Sequence, residues 1–340
     1  MKFKLMFLLV FCVVGLHSQK AVFLHHSTGN GVWNGGKGVP QYIKEYNDKN
    51  GTSISVQELS YPSGTYPWEN YPYDYWNLWI NGACQQNVPE RECLNNLCSK
   101  YKLIIFKHCF PGAGIQADNG NPNVKSPEKT LGNYKAQYRA LLKLMDSFPN
   151  NKFLIWTLAP LHRKATNNNE ATRAKEFVDW VNNSWLKEDG KTHPNIYIFD
   201  FFLLAAEQSL FPVLGNTWCL KYSYEGDHNG NDSHPNNLAN DFIAPLFAEA
   251  ITKCFQNTSS TEEMEQDIML YPVPVSDILT IENNENLSEG FSVFDISGKK
   301  VIDRKAGSEG QINVSHLNTG VYFLKFFKGN LPRTIKFIKK

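Results

Sequence analysis

Lys20-Ala21-Val22-Phe23-Leu24-His25-His26-Ser27-Thr28-Gly29-Asn30-Gly31 decides how this chain is read: a short apolar run ends in two histidines and a serine, with glycines close behind. Such a run reads as a buried parallel strand, and open α/β sheets place their chemistry outside the carboxyl ends of these strands. A helix starting after Ser27 would turn its first backbone N–H groups toward the hydroxyl and favour negative charge developing there. Ser27 is therefore a candidate nucleophile. The plainer reading of Ser-Thr-Gly after a strand is an N-cap or a turn.

A second segment, Asn231-Asp232-Ser233-His234-Pro235-Asn236, precedes Leu238, Phe242, Ile243, Leu246, Phe247, Ala250 and Ile251 at helical spacing. Pro235 suits a first helical position, which puts His234 at the start of a terminal helix. An acid, a histidine and a distant serine are the parts of a hydrolase triad: the histidine takes the serine proton, and the acid holds its tautomer and stabilises the imidazolium. Asp227, His228, Asp232 and His234 read alternatively as a metal cluster. His234 as a free base is preferred, and no metal or other cofactor is expected.

Strands and helices alternate between these ends. Ala21 to Leu24, Ser53 to Leu59, Leu103 to Phe106, Phe153 to Leu158 and Ile196 to Asp200 read as strands. One helix is expected to start at the capping Ser126 with Pro127 in its first turn, and to carry Leu131, Tyr134, Tyr138, Leu141, Leu142, Met145 and Phe148 on one face. Another runs from about Glu170 to Leu186. The alternation implies a parallel sheet covered on both faces.

With these residues in place, the stretch from 20 to about 255 resembles the SGNH (GDSL-like) hydrolases, in particular a divergent branch whose first block reads His-His-Ser-Thr-Gly. The resemblance implies a flavodoxin-like three-layer α/β/α domain and serine esterase chemistry, with Ser27 as nucleophile and His234 as base. It also implies an oxyanion hole from the backbone N–H groups of Ser27 and of Gly64, in Tyr61-Pro62-Ser63-Gly64-Thr65. Two departures stand out. Where the family carries Gly-x-Asn-Asp, the chain reads Lys107-His108-Cys109-Phe110. Where it carries Asp-x-x-His, Asn231 stands three residues before His234 and Asp232 only two. The orienting group is thus Asp232, or Asn231 in a Ser-His dyad, or Asp227, with Asp232 preferred. The missing asparagine keeps a rival open, a catalytically silent glycan-binding module of the same fold.

Further residues fall at the same edge. His26 beside the nucleophile, His108 after its strand, and His162 and Arg163 after Ala159-Pro160 are candidate substrate contacts, although for His25 and His26 a role in positioning the turn is preferred. The loop from Tyr61 to Trp79 is crowded with rings, Trp68 among them. Aromatic faces with polar tips suit carbohydrate, and a self-packed lid is the competing reading. Acylated carbohydrate, or another ester, is the expected substrate.

The 340 residues carry a net charge of +1 with 20% charged, so no basic field invites nucleic acid or anionic lipid. Residues 1–18 have the charged start and short apolar run of a secretory signal, and no later stretch is long enough for an integral membrane segment in the mature chain. Cys12 leaves with the signal. Of Cys84, Cys93, Cys98, Cys109, Cys219 and Cys254, the first three invite a local disulfide, and Cys219 and Cys254 flank the His234 segment and could tie it down. The hydrolase-like domain is placed at 19–255 and a polar linker at 256–268.

From 269 to 340 the pattern turns all-β: Ile278 to Ile281, Phe291 to Asp295 turning at Ser297-Gly298 into Lys300 to Ile302, Val321 to Lys325, and Thr334 to Ile338 form a small sandwich. Tyr271-Pro272-Val273-Pro274, Asp295-Ile296-Ser297-Gly298-Lys299, Leu317-Asn318-Thr319-Gly320-Val321-Tyr322 and the basic end Lys336-Phe337-Ile338-Lys339-Lys340 resemble the C-terminal sorting domain of type IX secretion cargo in Bacteroidetes. The resemblance implies the type IX secretion machinery as a partner, with export through the periplasm to the cell surface or the medium.

Overall fold

Successive side chains of a strand point to opposite faces, so a strand covered on both sides must be apolar at every position. The first strand meets this condition: Val22 and Leu24 enter one core and Ala21 and Phe23 the other. The same division holds along Leu103–Phe106 and Lys152–Trp156, where Ile104, Phe106, Phe153 and Ile155 share one core and Leu103, Ile105, Leu154 and Trp156 the other. The computed structural model describes residues 19–207, 213–256, 269–282, 290–295, 299–304, 310–328 and 331–340. The proposed signal 1–18, the linker after Gln256 and the Ser297-Gly298 turn lie outside the described residues. The chain divides into two compact units, Met1–Ser259 and Ser260–Lys340.

The first unit is built on β1 (Gln19–His25), β2 (Ile54–Ser60), β3 (Leu103–Phe106), β4 (Lys152–Trp156) and β5 (Ile196–Phe199), all parallel, in the spatial order β2-β1-β3-β4-β5. This is the flavodoxin-like order, in which the chain changes direction between β1 and β3 and leaves a crevice at their carboxyl ends. Helices α1 (Thr28–Trp33), α2 (Val39–Asn50), α7 (Phe201–Ala205) and α8 (Asn237–Gln256) cover one face; α3 (Pro72–Trp79), α4 (Leu94–Lys100), α5 (Leu131–Asp146) and α6 (Asn168–Asn183) cover the other. The unit is a three-layer α/β/α domain.

The second unit is all-β. β6 (Met269–Tyr271), β7 (Ile278–Glu282) and β10 (Gln311–Asn313) form one antiparallel sheet. β8 (Phe291–Asp295), β9 (Lys300–Arg304), β11 (Gly320–Lys328) and β12 (Leu331–Lys339) form another, and Val275, Leu279, Val293, Ile312, Leu324 and Phe337 make their common core.

Local chemistry moved two helix starts. Ser126 does not start α5: its hydroxyl accepts from the Glu128 N–H in a turn, and Thr130 caps the helix by accepting from Asn133 N–H. Pro235 is not the first residue of α8 but pairs with Glu225 across an isolated bridge, while the Asn236 side chain accepts from Ala239 N–H and opens the helix at Asn237. Leu238 and Phe242, expected on the core stripe, are exposed; Ala239, Ile243, Phe247 and Ile251 carry it. Among the cysteines, Cys84 and Cys93 form a disulfide. Cys219 and Cys254 do not tie the His234 segment: both are free and buried, each turned to a carbonyl of its own neighbourhood.

Phe23 is the centre of one core, with ring centroids 4.8 Å from Phe247, 5.3 Å from Trp156 and 6.0 Å from Trp33. Phe23→Ala is expected to destabilise this unit by about 3–5 kcal/mol. All eight tryptophans lie in this unit, so the urea midpoint followed by tryptophan fluorescence reads it alone. An unchanged midpoint would contradict the placement of Phe23.

Candidate active site

The carboxyl end of β1 delivers His25, His26 and Ser27 to the crevice. Ser27 stands at φ 48° and ψ −102°, a conformation that a non-glycine residue adopts only under constraint. The constraint is on both sides: β1 is locked into the sheet before it, and α1 begins immediately after it, with Gly31 N–H donating to the Ser27 carbonyl at 3.1 Å. Gly29 makes the sharp turn possible, because a Cβ there would lie 2.5 Å from the His25 Cβ. The Ser27 hydroxyl is thus held exposed at the start of a short helix.

The loop before α8 brings the partners. The Ser27 hydroxyl donates to His234 Nε2, and on the far side of the ring His234 Nδ1 meets Asp232 Oδ1 at 2.5 Å. The same carboxylate oxygen accepts from the His234 backbone N–H at 3.1 Å, so Asp232 turns back on the residue two places ahead. This local turn is how a carboxylate two residues away reaches the ring. Burial alone would raise the Asp232 carboxyl, but the hydrogen bonds from the His234 side chain and backbone, with the nearby His234 and His162 rings, hold it below the usual carboxylate range. Asp227 is engaged elsewhere, accepting from Asn229 N–H in its own turn. Phe110, which the sequence reading did not single out, stands edge-on to His234 with centroids 4.9 Å apart. Its only sequence signal is its place just past a buried strand.

The remaining candidates divide by burial. His26 lies flat on Trp68, with centroids 3.9 Å apart and planes 5° apart. Its Nε2 donates to the Pro62 carbonyl at 2.5 Å and its Nδ1 accepts from Ser60 at 3.2 Å, so the ring ties the aromatic loop to the end of β1. Trp68 is only half-buried, and Gly64 sits exposed on the same loop at φ 70°. Most other rings of this loop are packed away: Tyr61, Tyr66, Tyr71, Tyr75, Trp76 and Trp79 are buried, and Tyr73 is half-buried against Tyr71 and Trp76. His108 is fully buried, with Nε2 2.7 Å from the Tyr138 hydroxyl. His162 and Arg163 are also buried; Arg163 is paired with Glu225 and donates to the His228 carbonyl at 2.6 Å. The burial of His108, His162 and Arg163 turns these side chains to structural partners and away from solvent, correcting the expectation that they line the substrate surface. Among the described residues no group of His, Cys, Asp and Glu is arranged to hold a metal ion.

No curated protein matches the chain. Residues 269–340 match the family described as the secretion system C-terminal sorting domain. The tail is a sorting domain. It marks the protein for type IX secretion to the cell surface or the extracellular space. No helix among the described residues is long and apolar enough to cross a membrane. Among solved structures, the chain is similar to a gut microbial diltiazem-metabolizing enzyme, at 12% identity and a TM-score of 0.38, covering 88% of this chain and 72% of that one. It is similar to a carbohydrate acetylesterase from Xanthomonas citri, at 12% identity and a TM-score of 0.36, covering 88% of this chain and 62% of that one. A carbohydrate esterase with divergent catalytic and non-catalytic binding functions shares 13% identity at a TM-score of 0.30, covering 71% of this chain and 68% of that one. Likenesses this distant leave the chemistry to be argued from the site itself.

Two outcomes follow from this arrangement. Removing the sorting domain, residues 269–340, is expected to leave the first unit's activity per molecule within about twofold while retaining the protein in the periplasm of its host; a truncated chain secreted at normal yield would contradict the second part. The other outcome concerns acid. Burial, with Lys107 nearby, lowers His25 and His108 to about 3; burial lowers His26 to about 4, against the opposing Pro62 hydrogen bond. The unfolded chain takes up these protons below the ordinary value of 6.5, whereas the folded unit does not until near 4 or 3, so stability falls as pH drops through that window. Urea midpoints measured against pH should show this slope, and His108→Phe should make it shallower.

Proposed function

We propose that the protein is an SGNH-like serine esterase. The observation that carries this reading is the chain of contacts from the Ser27 hydroxyl through the His234 ring to the Asp232 carboxylate, assembled at the switch point of the sheet. Ser27 attacks an ester carbonyl as His234 Nε2 takes its proton. The carbonyl becomes a tetrahedral oxyanion, which the backbone N–H groups of Ser27 and Gly64 stabilise. His234 then returns the proton to the departing alkoxide, leaving an acyl group on Ser27. Water, activated by the same ring, releases the acid and restores the serine. Asp232 keeps the Nδ1–H tautomer in place and balances the imidazolium charge through both half-reactions. No cofactor enters this scheme.

The substrates favoured are acyl groups such as acetyl on carbohydrate. Export to the cell surface or beyond puts the enzyme where polysaccharide is found, and half-buried Trp68, stacked on His26, the residue before the nucleophile, offers a ring for a sugar face. Lys107-His108-Cys109 in place of the family's asparagine favours the second reading, a silent module that binds glycan without turning it over.

The deciding measurement is hydrolysis of p-nitrophenyl acetate and acetylated xylan by the purified protein. Ser27→Ala should fold normally and lose ester hydrolysis by several powers of ten. Asp232→Asn should lower kcat/KM by at least about a hundredfold, whereas Asn231→Ala should cost far less. A nearly silent Asp232→Asn beside an inactive Ser27→Ala would return the orienting role to a dyad or to Asp227. Glycan binding without turnover by the wild type would establish the silent module.

A further inference from the structure

Asp232 and His234 are exposed, with side-chain accessibilities of 66% and 45%. A pair in solvent does not hold its own geometry, since exposed ion pairs contribute little and are readily exchanged for water. Something under the loop must fix it. Glu225 lies at its base with a side chain of 0% accessibility, a position where an ionised carboxylate persists only if it is paired with a cation. The proposed reaction leaves this buried charge without a part to play.

We propose that Glu225 is a positioning residue of the site, the anchor that holds the loop carrying Asp232 and His234 at the distance Ser27 requires. The loop has a closed stem. Glu225 pairs with Pro235 in an antiparallel bridge, and Asn236 donates through its side chain to the Ser223 and Glu225 carbonyls at 3.0 Å each and through its backbone to the Tyr224 carbonyl at 2.8 Å. From this stem the Glu225 carboxylate reaches inward. One oxygen accepts from the Arg163 guanidinium and from His228 Nδ1 at 2.8 Å; the other stands 3.2 Å from His162 Nε2, within ion-pair reach but out of hydrogen-bond alignment. His162 Nδ1 accepts from the Lys164 N–H at 3.0 Å, which assigns the ring proton to Nε2, the atom turned to Glu225.

The residues gathered by Glu225 in turn grip the loop. Arg163 donates to the His228 carbonyl at 2.6 Å, Lys164 to the Asn229 carbonyl at 3.0 Å, and the His162 backbone N–H to the Ser233 hydroxyl at 2.8 Å. Ser233 is buried and sits between the two residues of the proposed pair. The segment His162–Lys164, which follows β4, is thereby fastened to both ends and the middle of the loop, and Glu225 supplies the negative charge that lets Arg163 stay buried. Glu225 touches neither Ser27 nor the His234 ring. Its effect on the chemistry passes through the placement of the loop, where a displacement of about 1 Å can cost a large factor in rate.

This inference rests on the esterase reading for its kinetic arm and is independent of it for its spectroscopic arm. Glu225→Gln keeps the shape, removes the charge, and sets an amide N–H against a donor. The expected result is a fall in kcat of at least about tenfold with KM within about twofold on p-nitrophenyl acetate. The second readout is the low-field proton resonance of the His234–Asp232 hydrogen bond, assigned by its loss in Asp232→Asn, which should vanish or broaden in Glu225→Gln while tryptophan fluorescence stays native. If the wild type hydrolyses no ester, the esterase reading fails and the resonance alone decides. A Glu225→Gln protein with unchanged kcat, or with the resonance intact where no turnover exists, overturns the proposal. Should Glu225→Gln fail to fold, Arg163→Lys decides on the same two measurements, because it keeps a cation for Glu225 but loses the fork that also holds the His228 carbonyl; unchanged values there overturn the proposal equally.

Discussion

Parallel pairing of β1 on both of its edges is the constraint from which the site follows. Seven residues of β1 run in register with β2 and four with β3, so the strand cannot slide without breaking both ladders and exchanging its two cores. Its carboxyl end is therefore fixed, and Ser27 is held in a backbone conformation that it would not choose in a free chain. Everything else at the crevice is built to meet that point: the aromatic loop after β2, the Lys107–Phe110 turn after β3, the His162 segment after β4 and the loop leading into α8.

The parts of the fold set by apolar periodicity were legible in the sequence, because a strand buried on two faces has no other way to be written. The cores of β1, β3 and β4 fell where the runs of Val, Ile, Leu and Phe placed them. Helix starts were less legible. Ser126-Pro127 has the composition of a cap, yet a serine hydroxyl bonded two residues ahead makes a turn as readily as a helix, and only the neighbouring chain decides between them.

Within the site, Ser27, His234 and Asp232 could be picked out because their types and places in the sequence already suggest a shared task. His108 and His162 could not be sorted, since a histidine just past a strand looks the same whether it faces a cleft or lies beneath one. The role of Glu225 was invisible for a further reason. Its partners His162 and Arg163 come from a separate strand end, so its burial is a property of the assembled sheet and has no signature within Tyr-Glu-Gly-Asp-His. The aromatic loop is a middle case: its rings were plain to see, but the carboxylate that gathers it, Asp74, which accepts from the N–H groups of Glu69, Asn70 and Tyr71, was not.

The free thiols carry a consequence for a protein sent outside the cell. A disulfide there survives only as long as no neighbouring thiolate attacks it, and attack depends on how much thiolate exists and whether it can reach the sulfur. Burial pushes Cys98 and Cys254 up to about 12 and Cys219 up to about 11, so at neutral pH each is almost wholly in the unreactive thiol form. Cys109 is buried, with its sulfur 2.7 Å from the Lys107 side-chain nitrogen and little of the residue open to solvent. The Cys84–Cys93 bridge is consequently insulated from exchange by the folded state itself, and the order of events matters: packing that precedes oxidation selects this one pairing, whereas oxidation of an unpacked chain would leave every thiol free to compete.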